Sequence, residues 1–253
     1  MWHNARLLNA IADLLYLAAA GVLFWLAVEA GRRAPFLPVR TVALTGDLQH
    51  VDAATVRARL EGRIFGNFFG VELADVRREL EQLPWVRRVA VRREWPDRLV
   101  VRIEQHVTLA RWSDGRLVNR FGELFRADPG DAELPRLGGP PGSEREVTRR
   151  YLAFRDLLAP LGAEPAQVLL SARRAWQVKL GGPEHAELVL ELGRDQARQS
   201  LEERLARFVA AYPRTAAQLN QPLAYVDLRY PNGFAIRVPE AVEERRNTAR
   251  KRT

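Results

Sequence analysis

The chain has 253 residues and a formal net charge of +8, with 47% apolar residues and no cysteine. That apolar fraction is enough to build packed cores and excludes global disorder, and the missing thiols exclude thiolate metal sites and cysteine nucleophiles. The positive charge rests on arginine far more than lysine, and the arginines alternate with glutamates along the chain. With no zinc-finger spacing and no RNA-binding motif, this reads as a solvated surface and gives no support to a nucleic-acid partner.

Residues Leu7 to Val28 form an apolar run in which Asn9 and Asp13 are the strongly polar members. At about 1.5 Å per residue it spans roughly 33 Å, the thickness of a bilayer's hydrocarbon core. Tyr16 and Trp25 lie toward its ends, where aromatic rings favour the interface. A transmembrane helix is therefore expected at 7–28, after a short tail (1–6) and before a linker (29–37). A cleaved signal sequence is the rival reading, and the run exceeds the usual hydrophobic region of about 7–15 residues. Asn9 and Asp13, one helical turn apart, either sit at the headgroup boundary or hydrogen-bond a partner helix. The flanking charges, Arg6 on one side and Arg32, Arg33 and Arg40 on the other, lean toward a cytoplasmic large domain.

The next segment, 38–107, reads as β-α-α-β-β. Val42 and Leu44 share a strand face, and Asp52 can cap a helix carrying Val56 and Leu60 and ended by Gly62. Leu73, Val76, Leu80 and Leu83 form one stripe of a second helix, Glu72 to Leu83, stopped by Pro84. Val89 and Val91 share a face of one strand, and Leu99, Val101 and Ile103 share a face of the next. Trp95-Pro96-Asp97-Arg98 is the turn between them.

In 108–239, Leu117 to Asn119 and Glu123 to Phe125 read as short strands, and the Pro- and Gly-rich stretch Pro129 to Gly142 as a loop. Ser143-Glu144-Arg145-Glu146 has the pattern of a capping box before a helix with Val147, Tyr151, Phe154, Leu157 and Leu158 on one face. Val168 to Leu180 and Leu188 to Leu192 alternate as strands. Asp195 is the expected cap of a helix with Leu201, Leu205, Phe208 and Val209 as its core face. Strands Ala224 to Tyr230 and Phe234 to Val238 are joined by Pro231-Asn232-Gly233, a hairpin signal. Trp85, Trp95 and Trp176 are expected in core or turn packing, and 240–253 as a charged, disordered tail.

His3, His50, His106 and His185 have no metal-ligand spacing, and Ser113, Ser143, Ser171 and Ser200 lie in no nucleophile elbow. No catalytic residue, metal, cofactor or small-molecule substrate is expected.

Leu83-Pro84-Trp85-Val86-Arg87-Arg88-Val89, Arg92-Arg93-Glu94-Trp95-Pro96 and Leu99 to Glu104 resemble the POTRA module of the FtsQ/DivIB family of bacterial cell-division proteins. Trp176-Gln177-Val178, Leu188 to Gly193 and Tyr225 to Gly233 are similar to the β domain that follows it in that family. The resemblance implies an α+β fold: one transmembrane helix, a POTRA domain, then a C-terminal β domain with an antiparallel sheet and packed helices. Against the charge count, it implies a cytoplasmic N-terminus and a periplasmic large domain in the inner membrane, enriched at the septum. It further implies a recruiting role, with no catalysis, through FtsB-like and FtsL-like coiled-coil membrane proteins to other divisome components. A membrane-anchored POTRA component of secretion or outer-membrane assembly is the alternative. The expected partner edge is the last hairpin: Tyr225, Asp227, Arg229, Tyr230, Pro231, Asn232, Gly233 and Phe234. Arg88, Arg92 and Arg93 form a candidate second partner surface, and Asn9 and Asp13 a candidate membrane-helix contact.

Overall fold

A computed structural model describes residues 5–33, 38–46, 48–61, 68–182, 188–197, 199–219 and 223–237. The expected tail at 240–253, the Gly62 helix stop and the end of the last strand at Val238 lie outside them.

Helix α1 (Ala5–Arg33) contains the apolar stretch, and its Asn9–Ala30 portion is long and apolar enough to cross a membrane. The helix continues past Val28 through Glu29, so the expected linker begins later than its sequence suggested. Beyond it the chain divides between His106 and Val107 into two units, each with its own core.

In the first unit, β1 (Thr41–Thr45), α2 (Ala53–Leu60), α3 (Leu73–Leu80), β2 (Val86–Glu94) and β3 (Arg98–Gln105) follow the expected order. Asp52 caps α2 by accepting the Thr55 N–H. The sheet runs β1-β3-β2, with β1 parallel to β3 and β2 antiparallel to it. Val89, Leu99, Val101 and Ile103 are buried with Val56, Leu60, Val76 and Leu80 of the helices, so both helices cover one sheet face. The opposite face carries Ala43, Ala90, Arg88, Arg92 and Arg102 by alternation along the strands. Trp95 is the exception to expected turn packing: its peptide bond to Pro96 is cis and its side chain is 75% exposed. Trp85 stacks on His50 at 3.9 Å between ring centroids, and Trp176 is buried in the second unit.

The second unit is one nine-stranded sheet. In chain order its elements are β4 (Thr108–Trp112), β5 (Leu117–Asn119), β6 (Leu124–Phe125), β7 (Arg136–Gly138), α4 (Glu144–Leu158), β8 (Glu164–Leu170), β9 (Ala175–Gly181), β10 (Val189–Arg194), α5 (Leu201–Leu219), β11 (Tyr225–Asp227) and β12 (Ala235–Arg237). Across the sheet the order is β12-β11-β10-β9-β8-β7-β4-β5-β6. The sheet is mixed where an antiparallel one was expected: β4–β7, β7–β8 and β10–β11 are parallel. Parallel neighbours need a covered crossover, and α4 and α5 provide it by leading from β7 to β8 and from β10 to β11. Phe154 and Phe208 from these helices are fully buried among Trp176, Val178, Leu190 and Val226 of the sheet.

Four local expectations fail here. The Pro-rich stretch supplies β7, whose Leu137 is fully buried; Gly139 passes so near the Ser143 hydroxyl that a Cβ there would lie 2.4 Å from it. Val168 to Leu180 is two strands joined by a turn at Ser171–Arg174, with Arg174 at positive φ. The capping box is at the other helix. Ser143 turns its hydroxyl back to the Pro140 carbonyl (2.6 Å), whereas Ser200 accepts the Glu203 N–H (3.2 Å) and Glu203 accepts the Ser200 N–H (2.9 Å). Asp195 is not the cap of α5 but an ion-pair partner of Arg150, which also holds Glu202.

Candidate partner-binding edge

The last hairpin pairs Tyr225 with Arg237, Val226 with Ile236 and Asp227 with Ala235. The pairing is shorter than the hairpin signal suggested, and residues 228–234 form a broad loop where a tight Pro-Asn-Gly turn was expected. The loop stays open because its ends are tied inward. Leu228 is fully buried, and Phe234 packs edge-on against Phe208 with centroids 6.0 Å apart.

Strand β12 is the outermost strand, paired on one side to β11. All three of its residues are exposed, and Ile236 presents a large apolar side chain there. The sheet's other end, β6, is two residues long with Phe125 buried, so it offers less backbone. An exposed edge with unpaired backbone groups is a template for an added strand. Arg237 lies over the Tyr225 ring, 5.5 Å from its centroid, so these two side chains stiffen one end of the edge.

The eight residues expected to contact a partner divide by what they touch. Asp227 is nearly buried, and its carboxylate accepts the Arg229 N–H at 3.1 Å and holds the Arg229 Nε and Nη2 at 2.8 and 2.6 Å. Those hydrogen bonds hold the Asp227 carboxyl below the usual carboxylate range and push the Arg229 guanidinium's pKa up. The Arg229 stem also covers Gly193, where a Cβ would meet it at 2.8 Å. Arg229 is thus paired within its own chain, with its side chain 58% exposed. Burial raises the Tyr225 hydroxyl's pKa. Tyr230 is the exposed aromatic, 54% accessible, beside exposed Pro231 and Asn232 and half-buried Gly233.

Sequence reasoning missed two arginines of α5. Arg207 donates from Nη2 to the Tyr230 carbonyl (3.1 Å) and from Nη1 to the Pro231 carbonyl. The Gln199 amide, oriented oxygen-first, accepts from the same guanidinium at 2.6 and 3.1 Å. Arg204, fully buried, donates to the Leu192 and Arg194 carbonyls at 2.6 and 2.8 Å. Arg204 lies at helical spacing with Leu201 and Phe208, and that periodicity is the signal that could have turned it inward; Arg207 lies off that stripe and carries no such signal.

The second candidate surface also separates. Arg88 and Arg92 are exposed on the open sheet face, but Arg93 points to the helix side and caps the Phe68 (2.8 Å), Phe69 (3.3 Å) and Val71 carbonyls. Arg102, opposite Ala90, lies with Arg88 and Arg92 in its place. Asn9 and Asp13 are exposed on α1, one turn apart. Among the described residues no group of three or more His, Cys, Asp or Glu side chains could hold a metal ion.

Comparison with known proteins agrees with this architecture. Residues 37–106 match the family described as POTRA domain, FtsQ-type, and residues 110–229 match cell division protein FtsQ/DivIB, C-terminal. The chain is 44% identical over 245 residues to cell division protein FtsQ of Burkholderia pseudomallei, covering 94% of each. It is 42% identical over 242 residues to that of Nitrosospira multiformis, covering 94% of this chain and 99% of the relative. It is 34% identical over 256 residues to that of Bordetella pertussis, covering 93% and 92%. Both modules and the full-length similarity converge: the chain belongs to the FtsQ/DivIB family of cell division proteins.

Proposed function

We propose that this chain is a membrane-anchored division scaffold that captures an FtsB-like partner by strand addition to β12. Through it the chain holds an FtsL-like protein and the rest of the division machinery at the septum. In this reading α1 crosses the inner membrane with the N-terminus in the cytoplasm, and both folded modules act in the periplasm without catalysing a reaction. The observation that carries it is the exposed outer edge of β12, flanked by the exposed Tyr230 ring. A partner strand gains main-chain hydrogen bonds from the edge, and Ile236 and Tyr230 give its side chains apolar surfaces to cover.

The test titrates the full-length protein in nanodiscs with the periplasmic segment of its FtsB-like partner, beside Tyr230→Ala and Ile236→Pro. Saturable binding that weakens in both variants at unchanged thermal stability supports the edge. Equal binding in all three moves the site off β12, and no binding by the folded wild type removes this partner class.

A further inference from the structure

We propose that the tip of the β2–β3 hairpin, led by Trp95 and joined by Phe69, is a second membrane contact. It seats in the headgroup layer of the bilayer that α1 crosses, with nearby arginines facing anionic lipid phosphates. This goes beyond the scaffold reading and does not depend on it.

Chain path comes first. The chain leaves the membrane helix at Arg33 and enters the first folded unit beside this tip: the N–H groups of Arg40 and Thr41 donate to the Asp97 carbonyl at 2.9 and 3.4 Å, and Thr41 pairs with Arg98. From Arg33 to Arg40 the connection reaches at most about 24 Å, at roughly 3.4 Å per extended residue. The chain leaves the unit at the other end of β3, near Gln105, whose eight residues carry it about 27 Å away. Tether and hairpin tip therefore share one pole.

Side-chain chemistry at that pole is the second observation. Trp95 is 75% exposed at the hairpin's apex, and Phe69 is 54% exposed. Arg93, the residue two before Trp95, clamps the Phe68 and Phe69 carbonyls, which fixes the Phe69 segment beside β2 at the tip end. Trp is a side chain that favours the bilayer interface.

Charge is the third. Arg40 is 74% exposed with Asp97 only at 3.9 Å, Arg98 is 52% exposed with Glu94 at 3.7 Å, and Arg92 and Arg102 are exposed on the open sheet face. Guanidinium groups outnumber carboxylates there, and they share the open sheet face with the small residues Ala43 and Ala90. Fluid headgroups need no shape complementarity, so such a face suits a lipid surface better than a protein with its own anchors. The contact would hold the first unit at a set orientation to the bilayer.

The chain contains no cysteine, so one introduced thiol reports a single position. The full-length Asp97→Cys variant, nitroxide-labelled, is reconstituted in phosphatidylethanolamine with phosphatidylglycerol; accessibility to oxygen and to an aqueous nickel chelate gives its depth. The expected result is severalfold lower chelate access at 97 than at the opposite-pole control Gln82→Cys. Adding Trp95→Ala and Phe69→Ala should return the label to the control value, with thermal stability kept because both rings are exposed. Equal access at 97 and 82 with the native tip would overturn the proposal, as would a shielded label that ignores loss of both aromatics. Exchanging phosphatidylglycerol for phosphatidylcholine should raise chelate access, and no change would overturn the arginine half.

Discussion

The Asp227 carboxylate grips the Arg229 guanidinium through Nε and Nη2 at 2.8 and 2.6 Å, two residues along the same chain. This pair sets the path of the chain as it leaves β11, and it lies between the core and the surface, with Asp227 8% and Arg229 58% exposed. Asp227→Ala should destabilise the second unit by about 1–3 kcal/mol, the usual loss for hydrogen bonds to a charged group. Thermal unfolding of the variant checks it, and loss of partner binding in that variant reports a distorted hairpin.

The same pair gives a pH dependence. Hydrogen bonds from Arg229, its side chain first, lower the Asp227 pKa in the folded protein. A lowered folded value means the unfolded chain binds the proton more tightly, so the stabilisation is complete above the ordinary carboxylate value of about 4 and fades as pH falls through the depressed one. The stability gap between wild type and Asp227→Asn should be widest near neutral pH and narrow progressively below about pH 4. Melting curves across that range decide it, and a gap constant in acid refutes the assignment.

Arg207 is a positioning residue for the candidate edge, because it holds the Tyr230 and Pro231 carbonyls from α5. Arg207→Ala should weaken FtsB-like partner binding about fivefold, the effect of about 1 kcal/mol, with a small change in melting temperature. A cycle with Tyr230→Ala separates the roles: if Arg207 acts through the loop that presents Tyr230, the two losses are less than additive. Strict additivity would assign Arg207 a contact of its own.

Arg93 and its neighbours should behave oppositely on mutation. Arg93→Ala leaves the Phe68, Phe69 and Val71 carbonyls without their donor and should cost the first unit about 2–3 kcal/mol. Arg88→Ala and Arg92→Ala, exposed on the open face, should stay within about 0.5 kcal/mol of wild type. Chemical denaturation of the three variants tests this.

Capping provides a matched pair. Ser200→Ala should cost about 1 kcal/mol, because Ser200 and Glu203 satisfy each other's N–H groups at the start of α5. Glu146→Ala should cost less than Ser200→Ala, since no reciprocal box forms at Ser143; its ion pair with the exposed Arg174 side chain is worth little. Both are read from unfolding midpoints.

Sequence alone determined the elements whose apolar residues repeat at a helical or strand period over several turns or pairs. α1, the stripe of α3, the faces of β2 and β3 and the core face of α4 belong to this class, because burying one face imposes a local period. It also placed Tyr225 to Asp227 in a strand of the last hairpin of the described residues. Tertiary structure alone decided what had no local period. β7 is a strand because its neighbours on both sides are strands far off in sequence, and its glycines serve close approach where they read as turn punctuation. Ser143 and Ser200 carry the same local capping pattern, and only the chain's approach to each helix, set by what packs around it, selects Ser200. Likewise Arg93, Arg207 and Arg229 are spelled like any surface arginine. Arg93 and Arg207 are fixed to carbonyls of segments 24 and 23 residues away, which only tertiary packing brings within about 3.3 Å, and Arg229 to Asp227 by the bend of the chain after β11. The exposed β12 edge follows from the strand order of the second unit's sheet.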